Sequence, residues 1–492
     1  MTRTASAISP LIQIDRKSAK PLHQQIYRAY RTMILSGVLK PGQQIPSTRA
    51  LITELKISRI PLLTAYAQLL AEGYFQARQG SGTFVCSSLP DQQMLPEQKV
   101  RQPVTPDAGA RPMARRAQLL PRYEVMPWFG VGAFSVSQVA YDQFPFQIWS
   151  TLVLRHCRQP QASSFHYGSA MGWEPLREAI CEYLATARGV HCNPSQVMIV
   201  SGSQQLLEIS ARVLLEPGTA AWMEEPGYSL TRRVLESVGC RLIPVPVDTE
   251  GMNVAVGIKR HKSARAAFVA PSHQYPLGVT MSASRRLQLL DWARKSGSWI
   301  IEDDYDSEYR YDSMPISSLQ GLDQTARVIY IGTFSKVLFP SLRIGYVVIP
   351  QDLVEYFVSV RRTMDLTPPY LYQAVLTDFM REGHFARHLR RMRLLYEQRR
   401  TALVESLHRQ CGRLRVEGAE AGLHLLVTLP EDMPDVAIAV RAAEEKLWLT
   451  PLSPYYLEEA IHHGFILGFG GTPIDDIPEA VQKLKAILAA RP

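Results

Sequence analysis

What the sequence lacks narrows it first. Among its 492 residues there is no stretch of eighteen uninterrupted apolar residues, which excludes an ordinary membrane-spanning helix. The N-terminal MTRTASAISPLIQID has no apolar core of the secretory kind, so a cytoplasmic chain is expected. Six cysteines, Cys86, Cys157, Cys181, Cys192, Cys240 and Cys411, include no CxxC pair and no metal-ligand spacing with histidine. Reduced structural thiols and no bound metal are therefore expected. Surplus charge is also scarce over most of the chain. Residues 1–86 hold 11 Lys or Arg against 3 Asp or Glu, residues 87–125 hold 6 against 4, and everything after is close to neutral.

The remaining composition, 46% hydrophobic and 20% charged, is that of a globular protein, and the length calls for two or three domains. A small domain carrying nearly all of the net +9 points to a polyanion as its partner. Prolines at 90, 96, 103, 106, 112, 121 and 127 make residues 87–125 a semi-extended spacer. Residues 1–86 and 126–492 are expected to fold on either side of it.

In the first part, Ile26, Tyr30, Met33 and Ile34 recur at helical spacing and Gly37 supplies a stop. Ser47 precedes TRALITEL and Ser58 precedes RIPLLTAYAQLLAEG as N-caps; Leu62, Tyr66, Leu69 and Leu70 form the apolar face of the latter. YFQARQGSGTFV then reads as a two-stranded hairpin around Gly-Ser-Gly. Three helices followed by a β-wing outline a winged helix-turn-helix, whose third helix enters the major groove of double-stranded DNA.

Through LSGVLKPGQQIPSTRAL, LKISR and GSGTFV, residues 20–86 resemble the GntR family of transcription regulators. The resemblance implies that Arg49, Ser58 and Arg59 contact phosphates or base edges, with Gly80 at the wing. Arginine beside the N–H groups of a helix start offers several donors to a phosphate or a guanine. Where the family usually shows a polar run after the arginine, this chain has Ile60, Pro61, Leu62 and Leu63. Specificity is accordingly assigned to Arg59, Thr64 and the wing.

After the spacer, the apolar runs QVMIV, AAWM, RAAFVA, SWIIE and RVIYIG alternate with helical patterns, as in an open α/β sheet of buried parallel strands. Ligands collect at the carboxyl ends of such strands. There the sequence places SGSQQ, EEPGY, PSHQYPLG, DDYDSEY and TFSK. Together with GTFSKVLFPSLRIGY, these segments resemble the fold-type I aminotransferase domain of the MocR (GabR-like) branch of GntR regulators.

The resemblance implies that Lys336 carries pyridoxal 5′-phosphate as an internal aldimine, its apolar neighbours favouring the neutral amine that attacks an aldehyde. Arg343, with Thr333, would bind the cofactor phosphate, helped by the backbone N–H groups of Ser203 and Gln204 at a helix start. Asp303 would keep the pyridine nitrogen protonated. Alternation along the strand leaves Asp304 as a competing assignment, and position relative to Lys336 favours Asp303. Tyr305 would donate to the ring O3′ oxygen, Tyr228 would stack on the ring, and Tyr167 would reach the phosphate held by the other subunit of a homodimer. His273 and Gln274 occupy a loop where aminotransferases usually carry an asparagine motif.

Two functions follow: a regulator sensing an amine or pyridoxal phosphate, or an aminotransferase with an accessory DNA-binding domain. The winged helix favours the regulator. So does Ile466 in FILGF, standing where aminotransferases hold the substrate carboxylate with an arginine.

Overall fold

The computed structural model describes residues 12–88, 126–136, 138–159, 165–311, 317–412 and 414–490. It divides into two compact units, Met1–Pro112 and Met113–Pro492. The spacer expected at 87–125 lies, beyond residue 88, outside the described residues.

In the first unit the helical spacing gives α1 (Leu22–Leu35), α2 (Thr48–Leu55) and α3 (Arg59–Ala71). Ser47 caps α2, its hydroxyl accepting from Ala50 N at 3.3 Å. Lys56 closes α2 in the left-handed region (φ 50°), so three residues turn the chain into α3. Ser58 takes the cap position of α3 without a side-chain capping bond. Its buried face is Leu62, Ala65, Tyr66 and Leu69; Leu70, expected in that face, is 36% exposed. Eight residues beyond Leu62, position 70 has rotated about 80° off the stripe, whereas 69 stays within about 20°.

The wing is β2 (Phe75–Arg78) and β3 (Gly82–Val85), turning at Gly80 (φ 75°). A third strand that the sequence reading did not include, β1 (Gln44–Ile45), pairs antiparallel with β3. Tyr30 of α1, Tyr66 of α3 and Phe75 of β2 meet edge to face at 5.2–5.7 Å, locking helices and wing around one core.

In the second unit all five apolar runs are strands: β4 (Val197–Val200), β5 (Ala220–Glu225), β8 (Ala266–Val269), β9 (Trp299–Asp304) and β10 (Val328–Thr333). They join β6 (Arg241–Asp248), β7 (Gly251–Met252) and β11 (Gly345–Val348) in an eight-stranded sheet of order β4-β11-β10-β9-β8-β5-β6-β7. The β10-β9-β8-β5-β6 run is parallel, as expected; β11 runs antiparallel between β10 and β4. Both sheet faces are buried, with separate apolar clusters on each. A second, antiparallel sheet of order β12-β13-β15-β14 is built from β12 (Arg415–Glu417), β13 (His424–Thr428), β14 (Thr450–Pro451) and β15 (Gly464–Gly468). Among the described residues no helix is long and apolar enough to cross a membrane.

Candidate functional site

Strand ends make the site. Glu224 of β5, Val269 of β8, Asp303 of β9 and Thr333 of β10 all line one cavity of about 280 Å³ at the carboxyl edge of the parallel strands. Segments that follow the strands add Tyr228, Tyr305, Ser335, Lys336 and Arg343, and the helix start after β4 adds Ser203. Seven residues singled out in the sequence therefore converge: Ser203, Tyr228, Asp303, Tyr305, Thr333, Lys336 and Arg343. Gln204 does not line the cavity with its side chain; only its place in the first turn of the helix Ser203–Leu214 keeps the backbone reading open. Tyr167 is 85% exposed and outside the cavity of its own chain.

Alternation along β9 separates the two aspartates. Asp304 turns away from the cavity, where Arg188 Nε donates to it at 2.7 Å and the Tyr330 hydroxyl at 2.5 Å. Asp303 points into the cavity, and its Oδ1 is buried without a hydrogen-bond partner. Burial, then the charges of Asp304 and Asp306, push its pKa up to about 7. A buried carboxylate so placed calls for a cation that no described residue supplies.

Lys336 faces the same space, and burial lowers its pKa, opposed only in part by Asp306. The neutral amine is thereby favoured. Across the cavity, Gly202 (φ 104°) brings the backbone against Arg343: a Cβ there would sit 3.0–3.1 Å from the guanidinium. Arginine, the start of a twelve-residue helix and the hydroxyl groups of Ser203 and Thr333 make a cradle for an anion.

Several contributors escaped the sequence reading. Asp306, Tyr275, Glu224 and His424 line the cavity too. Burial pushes the Glu224 carboxyl up to about 8, while its Oε2 accepts from Ala270 N at 3.3 Å. His273 Nδ1 lies 3.0 Å from the Asp306 carboxylate and 3.2 Å from the Tyr305 hydroxyl. With that N–H donated to Asp306, Nδ1 has no lone pair left to accept the Tyr305 hydroxyl proton. His424 packs on His273 with ring centroids 4.5 Å apart, and burial, then His273 and Lys336, hold it well below the usual histidine range. Glu224 and Asp306 stood inside quoted motifs, but nothing local marked them. His424, on β13, reaches the site only through the tertiary fold.

Ile466 of β15 lies fully buried in an apolar cluster with Leu426, Leu452 and Tyr456, against which the cavity residues Val136 and Tyr275 pack. Arg343 is the single arginine lining the cavity among the described residues.

The first unit presents a different surface. Arg49, Ser58, Arg59, Thr64 and Gly80 are all exposed, and neither arginine is in a salt bridge among the described residues. Ile60 is 75% and Leu63 40% exposed. With Thr64 and Ala67 they form a stripe at i, i+3, i+4 and i+7 on the side of α3 opposite its buried face.

Comparison with known proteins matches residues 22–85 to "Bacterial regulatory proteins, gntR family" and 134–466 to "Aminotransferase class I and II". The chain is 38% identical over 481 residues, 98% of its length and 96% of the relative's, to the probable rhizopine catabolism regulatory protein MocR of Rhizobium meliloti. It is 30% identical, over 92% and 93%, to the pyridoxine biosynthesis transcriptional regulator PdxR of Corynebacterium glutamicum. Among solved structures it resembles the kynurenine aminotransferase of Pyrococcus horikoshii (TM-score 0.68, 28% identity, 73% of this chain and 91% of that one). It also resembles LysN, the α-aminoadipate aminotransferase of Thermus thermophilus, complexed with N-(5′-phosphopyridoxyl)-L-leucine (TM-score 0.70, 25% identity, 77% and 97%).

Proposed function

This chain belongs to the MocR subfamily of GntR-type transcription regulators, and on that premise we propose that its aminotransferase domain holds pyridoxal 5′-phosphate and senses an amine-bearing effector. The reading is carried by one observation: a buried carboxylate without a partner, Asp303, shares a cavity with an amine kept neutral, Lys336, and with an anion cradle. Pyridinium, aldehyde and phosphate match these three groups in kind. Once bound, pyridoxal 5′-phosphate supplies an aldehyde that condenses reversibly with primary amines and a ring that withdraws electrons.

The chain's own residues would then act as follows. Arg343, Thr333, Ser203 and the helix start behind Gly202 hold the phosphate. Asp303 stabilises a proton on the ring nitrogen. Lys336 offers its neutral amine to the aldehyde, and Tyr305, oriented by His273 and Asp306, offers its O–H to a ring oxygen. Tyr228 covers the ring. Tyr167, beside the exposed Phe165, would extend to the neighbouring subunit of a homodimer.

We assign regulation rather than turnover as the role of this chemistry. With Arg343 engaged by the phosphate and Ile466 apolar, no lining arginine among the described residues remains for an α-carboxylate. The effector is accordingly an amine lacking that carboxylate, or pyridoxal phosphate itself. The first unit would bind DNA as the output, with Arg49 and Arg59 meeting phosphates or guanine edges. Reconstitution with pyridoxal phosphate, a panel of amino acids and amines, and selection from a randomised duplex library test the reading together. Visible absorbance that amines alter, a selected DNA sequence and negligible amino-acid turnover are expected. Sustained turnover near about one per second would place the chain among working enzymes instead.

A further inference from the structure

Two of the six cysteines meet in the fold. Cys181 lies on the helix α4 (Glu174–Ala187), and Cys192 in the loop that leads from α4 to β4. Their sulfurs are 3.5 Å apart and both side chains are half-buried. The surroundings hold them so. Arg177 of α4 donates to Pro194 O at 2.6 Å, and Gln320 grips both backbone groups of His191 at 3.1 and 2.9 Å. Immediately after Cys192, Asn193 N donates to Gln196 Oε1 at 3.1 Å. Helix and loop are thus fastened on either side of the thiol contact.

The two sulfurs are not equivalent. The contact between the thiols, across which either can donate, and then the charge of Arg177 lower the Cys181 thiol, while the same contact and burial raise Cys192. Nucleophilic attack belongs to the thiolate, and Arg177, one helical turn before Cys181 on α4, sets a cation on that side of the pair, which makes Cys181 the attacking sulfur and Cys192 the resolving one.

We propose that Cys181 and Cys192 are an oxidisable dithiol that closes to an intramolecular disulfide under hydrogen peroxide and reopens with a thiol reductant. The Cys181 thiolate attacks one peroxide oxygen, breaking the O–O bond to give a sulfenic acid and hydroxide. Cys192 then attacks the Cys181 sulfur; the S–S bond forms, water leaves, and the dithiol has given two electrons to the peroxide. Closing the bond brings the sulfurs from 3.5 Å to about 2.05 Å. The segment so closed includes Arg188, the cation that neutralises Asp304 beside the cavity. Redox state would therefore bear on the frame of the ligand site. Disulfides in reducing compartments are usually transient ones of this kind.

Full-length protein, reduced and freed of reductant, is treated with hydrogen peroxide, denatured with an alkylating agent and mapped by peptide mass. The exposed, solitary Cys157 serves as internal control. Expected is one cross-linked pair of peptides, containing Cys181 and Cys192 and two hydrogens lighter than their sum, lost on adding dithiothreitol. Cys157→Ser keeps the cross-link; Cys192→Ser loses it and leaves a sulfenic acid at Cys181 that dimedone traps. Recovery of both cysteines fully alkylated when Cys157 is already oxidised overturns the proposal. So does a bridge from Cys181 to any other cysteine. The wild-type map decides the matter even if a serine variant folds poorly.

Discussion

Asp303→Asn separates the two consequences of burying a carboxylate that lacks a partner. In the cofactor-free protein the group is raised to about 7 by burial and by Asp304 and Asp306. For an acid raised in the folded state, the associated stability is present below the ordinary carboxyl value and lost as pH rises through about 7. The gap between those values, at about 1.4 kcal/mol per tenfold, bounds the loss at about 4 kcal/mol at alkaline pH. Asparagine keeps the shape without the charge, so the variant should unfold at a higher temperature than wild type near pH 8 while cofactor-free. Binding should move the other way. A charge-assisted hydrogen bond contributes about 1.5–3 kcal/mol, so the affinity for pyridoxal phosphate should weaken by about 10- to 150-fold. Wild-type affinity should also fall about tenfold per pH unit below 7, as Asp303 takes up the proton that it must lose to pair. Phosphate titration near pH 6 affects both proteins alike, so the difference between their profiles isolates Asp303. Fluorescence titration and thermal unfolding across that range measure both arms. Equal affinities, parallel pH profiles, or an apo variant less stable than wild type would refute the assignment.

Other substitutions address separate parts of the structure. Lys336→Ala should abolish borohydride-trappable attachment of pyridoxal phosphate while leaving the circular dichroism of the fold in place; a trapped adduct in the variant would remove Lys336 from its role. Arg188→Ala leaves the buried Asp304 carboxylate without its cation and should destabilise the second unit by about 3–5 kcal/mol, read as a lowered midpoint in urea; a loss below about 1 kcal/mol, on the order of a surface pair, would refute the buried ion pair. On a DNA sequence selected by the protein, Arg59→Ala should cost about 1–3 kcal/mol if Arg59 contacts a base, and equal losses on selected and random DNA would make it a phosphate anchor. Ile60 and Leu63 offer apolar surface suited to thymine methyl groups, so replacing thymine by uracil in the selected site should weaken wild type and not Ile60→Ala; identical losses in both would leave those side chains without a part in readout.

The sequence makes the crest of chemistry legible because five apolar runs each end in polar residues, and that pattern is local. All five are strands, and seven of the quoted side chains share one cavity. What local pattern does not hold is pairing. Strand β11 lies antiparallel between β10 and the edge strand β4, and only its partners make it an interior strand of the sheet. His424 enters the site from a second sheet, more than a hundred residues beyond the Asp303 it joins. The Cys181–Cys192 contact eluded a search for CxxC because a helix and a returning loop bring those thiols together. In the first unit, helical periodicity placed most of the core but admitted Leu70, since a stripe of apolar letters drifts around the helix that carries it. The exposed Ile60 and Leu63 were visible as an apolar run; which of its members face outward depends on what α3 packs against.

The sorting of Asp303 and Asp304 to opposite faces of β9 also sets the alignment of that strand. In the observed alignment Asp303 lies opposite Ile331 and Asp304 opposite Gly332 of β10. A slip by one residue would exchange the faces, turning Asp304 away from Arg188 and burying Asp303 and Glu302 on the wrong sides. Glu302, which accepts from Leu319 N and Gln320 N at 2.8 and 2.9 Å, would lose both donors in the same step. Three consecutive acidic residues, each content on only one side of the sheet, work as a ratchet against misalignment. A single-residue insertion or deletion ahead of Trp299 would therefore be taken up by the turn at Gly297, leaving the acidic end of β9 where it is.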